Sequence, residues 1–62
     1  MTEAEMKRRL ASLSDEAIAD IRHMIGQGYG GRGISLEYPA TLKQVNAVFE
    51  LHYRERRAQR GF

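Results

Sequence analysis

The chain has 62 residues, ten Lys/Arg, eight Asp/Glu and no cysteine. A chain of this length forms one small domain, 1–62, burying only about 60% of its unfolded surface, and the lack of cysteine excludes a disulfide or thiolate-zinc staple. It contains no run of about 18 apolar residues to cross a bilayer and no secretory apolar core, so a cytoplasmic protein with no membrane partner is expected.

Four helical segments are predicted. Thr2 and Glu5 match a capping box opening a helix over about 2–11, with Met6, Leu10 and Leu13 as a thin apolar stripe. Ser14 is an N-cap, and Asp15 and Glu16 place negative charge on the first turn of a second helix, about 15–27, where the helix dipole favours it. Ile18, Ile21 and Ile25 share one face of that helix, with Ala17 and Met24 beside it. Gly28 suits a left-handed exit.

Gly28–Gly33 is a breaker cluster. A short helix over about 32–37 follows, although Gly33 disfavours it and the alternation around Ile34–Tyr38 also fits a short strand. Pro39 ends this segment. Thr41 and Gln44 form a second capping box, with Ala40 placed to pack on Val45. Val45, Val48, Phe49 and His52 then repeat at helical spacing, and Leu51 and Tyr53 stand at the margins. This last helix is expected to reach about residue 58, leaving 59–62 as a frayed tail.

The charge is uneven: residues 1–31 carry four Lys/Arg and five Asp/Glu, whereas residues 32–62 carry six and three. A basic second half favours a polyanionic partner, although a solvated helix surface has the same composition. No nucleophile–base pattern is evident, so the chain reads as a non-enzyme. His23 and His52 lack metal-ligand spacing. Gly28–Gly33 lacks the Gly-Lys-Ser/Thr ending of a phosphate loop. No metal or cofactor is expected.

The register Gly28, Ile34, Ser35, Tyr38, Thr41, Val45 and Val48 resembles the helix-turn-helix family, particularly small trihelical, resolvase-like or phage-regulator-like domains. The resemblance covers roughly residues 15–53. It implies an all-α fold of three to four helices: an N-terminal helix (1–13), a trihelical core (14–58) and a long C-terminal helix. Ser35 would stand where the two motif helices cross, and Val45 and Val48 would pin the last helix to the core. Pro39 occupies a position where the family usually has glycine, so the turn must be built differently here.

The resemblance also implies a transcriptional regulator of phage or bacterial type that reads double-stranded DNA with the helix starting near Thr41. The candidate base contacts are Leu42, Lys43, Gln44, Asn46, Ala47 and Glu50; the candidate phosphate contacts are Arg32, Thr41, Arg54 and Arg57. A homodimer would read two half-sites, using Met6, Leu10 and Leu13, or Leu51 and Tyr53. The alternative is a protein-interaction adaptor or inhibitor on the same scaffold, with a larger protein as its partner.

Overall fold

The structure, a computed structural model, describes residues 1–60, with the side chain of Arg60 left aside. The fold is all-α: α1 spans Glu3–Leu10, α2 Asp15–Gly26, α3 Gly31–Glu37 and α4 Leu42–Arg60. No strand occurs among the described residues, so Ile34–Tyr38 is helical up to Glu37 and then turns. Gln59 and Arg60, expected in a frayed tail, continue α4; Gly61 and Phe62 lie outside the described residues.

The helix starts follow from their caps. Thr2 Oγ1 accepts from the Glu5 N–H at 3.2 Å. The other half of that box is missing, because the Glu5 carboxylate pairs with Arg9 at 2.7 Å instead. Ser14 Oγ accepts from the Ala17 N–H at 3.1 Å. Thr41 and Gln44 complete a reciprocal box: the Thr41 N–H donates to Gln44 Oε1 at 2.9 Å, and the Gln44 N–H donates to Thr41 Oγ1 at 3.2 Å. Each such cap satisfies amide groups that have no partner within their own helix.

α2 ends in a Schellman motif. The Gly28 N–H donates to the Ile25 carbonyl at 3.0 Å and the Tyr29 N–H to the Met24 carbonyl at 3.2 Å. Gly28 carries the left-handed φ of 95° that this exit requires. The turn between α3 and α4 uses no such residue. Tyr38 is extended, as a residue before proline must be. Its carbonyl accepts from the Ala40 N–H at 2.7 Å across Pro39. This three-residue turn matches the fixed φ of proline.

α4 is the common wall of the molecule, and α1, α2 and α3 each pack principally on it. Ile21, Ile34, Val45 and Val48 form the fully buried cluster; Leu10, Leu13, Ile18, Met24, Ile25, Tyr38, Ala40 and Phe49 surround it. Met6 is also buried. The apolar stripe of α1 is therefore committed inside the monomer, and the expected use of Met6, Leu10 and Leu13 as a dimer contact does not hold. Arg22 on α2 grips Glu55 on α4 through a two-pronged ion pair.

α3 forms despite Gly31 and Gly33 because tertiary packing outweighs helix propensity. A Cβ on Gly31 would lie 3.4 Å from Asn46 Oδ1, 3.6 Å from Phe49 Cε2 and 3.7 Å from Leu42 Cδ1. α3 therefore meets α4 at Gly31 at ordinary van der Waals distance, with room for a Cβ. Ser35, expected at the crossing, is half-buried on the groove that α3 shares with Leu42, and its hydroxyl donates to the Arg32 carbonyl at 2.9 Å.

Two outcomes test this arrangement. Gly28→Ala should destabilise the fold by about 1–2 kcal/mol in chemical denaturation, the cost of a left-handed non-glycine residue. The second concerns Tyr38, whose hydroxyl donates to Asp20 at 3.1 Å. Desolvation by partial burial, this hydrogen bond and the charges of Asp20 and Glu16 raise the phenol above its ordinary pKa of 10.0. The neutral phenol is thus favoured by folding: its contribution is complete below pH 10 and is lost as the pH rises through the elevated folded value. Tyr38→Phe should flatten that alkaline loss in denaturation curves taken between about pH 9 and pH 11, which bracket the tyrosine range.

Candidate nucleic-acid interface

Successive α-helical residues diverge by about 100°, so three neighbours leave α4 one open side. Gln44 and Arg54 mark the side taken by α1. Gln44 Nε2 donates to Ser12 Oγ, just past the end of α1, at 2.8 Å. Arg54 reaches the Met1 carbonyl, just before its start, at 3.4 Å. α1 therefore runs antiparallel to α4, with Ala47 and Leu51 between these two ties. α2 meets α4 at Glu55, and α3 approaches it at Leu42, Asn46 and Phe49. The remaining side presents Lys43, Asn46, Glu50, Tyr53 and Arg57, with Leu42 at its near edge.

The ten candidates separate accordingly. Lys43 and Asn46 are exposed and adjacent on the first two turns. Leu42 stands beside them, 42% exposed. Arg32 on α3 and Arg57 on α4 are exposed, and neither joins an ion pair among the described residues. Glu50 is half-buried and accepts from Arg54 at 2.9 Å, so these two neutralise each other at short range. Thr41 is exposed, but its hydroxyl and its N–H are both engaged in the cap.

Two candidates are corrected. Ala47 is fully buried and cannot meet a thymine methyl; α1 lies along that side of α4, which the expectation of a separate N-terminal helix left open. Gln44 is half-buried, and its amide already accepts from Thr41 and donates to Ser12. An adenine contact would have to break the bonds that start the helix.

Sequence reasoning gave Tyr53 only as a marginal residue and dimer candidate, and passed over Leu36. Tyr53 is 49% exposed and lines a surface groove of about 430 Å³ with Glu50, Arg56 and Arg57. Asn46, Glu50, Tyr53 and Arg57 recur at intervals of four, three and four, a spacing that could have disclosed this outer stripe. Leu36 on α3 is 86% exposed and shares a second groove with Arg32, Ser35 and Leu42. His52 faces inward, half-buried, and its Nδ1 is enclosed without a hydrogen-bond partner. No cluster of three or more metal-ligating side chains occurs among the described residues, and none of their helices is long and apolar enough to cross a membrane.

Comparisons of the chain with known protein families, with curated proteins and with solved structures find no match.

The cap generates a test. Gln44→Ala removes the side-chain acceptor at Thr41 and the tie to Ser12 together. It should cost about 1–2 kcal/mol in thermal or chemical unfolding, in the range of a lost helix cap with one further hydrogen bond, whereas Lys43→Ala on the open side should change stability by no more than about 0.5 kcal/mol.

Proposed function

We propose that this chain is a small DNA-binding protein, a transcriptional regulator of the helix-turn-helix kind, that presents the first half of α4 to the major groove. The observation that supports this most directly is the exposed trio Leu42, Lys43 and Asn46 at the capped start of α4. α1 and α2 pack on other sides of α4, and α3 borders the trio at Leu42 and Asn46, which remain exposed. A major groove about 12 Å wide admits one helix, and the reciprocal Thr41–Gln44 cap holds the leading end of α4 rigid.

In this reading Lys43 donates to guanine O6 or N7, and Asn46 pairs with adenine N6 and N7. Arg32 on α3 and Arg57 late in α4, both exposed, bind phosphates and fix the register. Glu50 and Arg54 act as a pair, so Arg54 adds little free charge. A second copy would double the interface and read half-sites about 34–36 Å apart. Tyr53 is the exposed residue of the dimer candidates that remain, since Leu51 is half-buried. No cofactor takes part, and the role is binding, not catalysis.

Lys43→Ala should weaken binding to a selected duplex by about 1–3 kcal/mol and relax the preference for guanine at one position. Fluorescence anisotropy across a salt series reads both effects. Binding should fall steeply with salt, because phosphate contacts release counterions. An equal loss on selected and scrambled duplex would leave Lys43 only a phosphate contact. No retention of any duplex at low salt would overturn the DNA reading in favour of a protein-interaction adaptor or inhibitor.

A further inference from the structure

We infer that the groove between α3 and the start of α4 is a thymine-reading site, in which Leu36 and Leu42 receive the C5-methyl groups of a duplex and Arg32 holds the adjoining phosphate. The inference rests on the duplex reading above and assigns it a base preference. Leu36 is 86% exposed, while its α3 neighbour Ile34 is fully buried. Ile34 thus anchors α3 to the core, and Leu36 contributes almost nothing to it. Leu42, 42% exposed, is the apolar residue at the head of α4.

The two leucines line one groove of about 380 Å³ with Arg32 and Ser35. None of these four residues is acidic; Lys43 follows Leu42 directly and the exposed Glu37 follows Leu36. An apolar floor beside Arg32, which joins no ion pair among the described residues, complements a polyanion with apolar points on its edge. Duplex DNA has that chemistry in the major groove, where thymine alone among the four bases carries a methyl group. The groove also adjoins Asn46, the adenine candidate: Gly31 of α3 lies against both Leu42 and Asn46. Neighbouring positions on the protein would thus read the two halves of A·T pairs.

Replacing thymine with uracil removes the methyl group and leaves base pairing intact, so it isolates the contact. A duplex selected by the full chain from a randomised library is resynthesised with uracil at each thymine in turn. The expected result is about a fourfold loss of affinity at one or two positions, the worth of one buried methyl, with little effect elsewhere. Leu36→Asn, at an exposed site outside the core, should bind thymine and uracil duplexes alike at one of those positions and keep its salt dependence. The inference is overturned if the selected site has no A·T pair, if uracil is without effect at every position, or if Leu36→Asn retains the full uracil penalty. If no duplex is retained at all, the DNA reading fails with it; if duplexes are retained without regard to the methyl, only the thymine site fails.

Discussion

Burial of Val45 and Val48 against Ile21 and Ile34 is the interaction on which the rest of the molecule depends. These four side chains join α2, α3 and α4, and little other fully buried apolar material is present. Each fully buried aliphatic side chain contributes about 1.5–3 kcal/mol, against a net stability that is small in any domain of this size. The same helix that supplies half of the cluster also carries the proposed contact surface. Its two sides are set by one periodicity: wherever Val45 and Val48 point inward, Lys43 and Asn46 must point away.

The start of α4 is held from several directions. The γ-turn at Pro39 directs the chain out of α3, and the reciprocal box at Thr41 and Gln44 begins the new helix. Gln44 then ties this end to Ser12 in the α1–α2 connection. At the other end, Arg54 combines its pairing with Glu50 and its reach to the Met1 carbonyl. α1 is thereby fixed along α4 by polar contacts at both ends and by Met6 and the neighbouring leucines between them. The proposed reading side is rigid because polar caps and apolar packing constrain the same segment.

Much of this was legible in the sequence because the signals are local. Thr2, Ser14 and Thr41 mark helix starts through hydroxyls that can cap, and Gly28 marks an exit that needs positive φ. The inward placement of Val45, Val48 and Phe49 follows from helical spacing, as does the outward placement of Lys43 and Asn46. What was not legible depends on partners distant in the chain. Alanine is compatible with either side of a helix, so nothing near Ala47 reveals that α1 covers it. Gln44 reads as half of a capping box, but its second bond goes to Ser12, 32 positions away in sequence. Gly33 suggested a weak α3, whereas α3 is held by contacts that lie far off in the chain: Ile34 in the core and Gly31 beside Asn46 and Phe49.

A molecule built around its last helix has an order of assembly imposed on it. α1, α2 and α3 are synthesised before the surface they lean on, and they pack far more on α4 than on one another. Until residues 42–60 have been made, the first three helices have no shared wall, and segments of eight, twelve and seven residues are too short to persist alone in water. Stable packing of α1, α2 and α3 therefore waits on α4, the helix that also carries the proposed reading side.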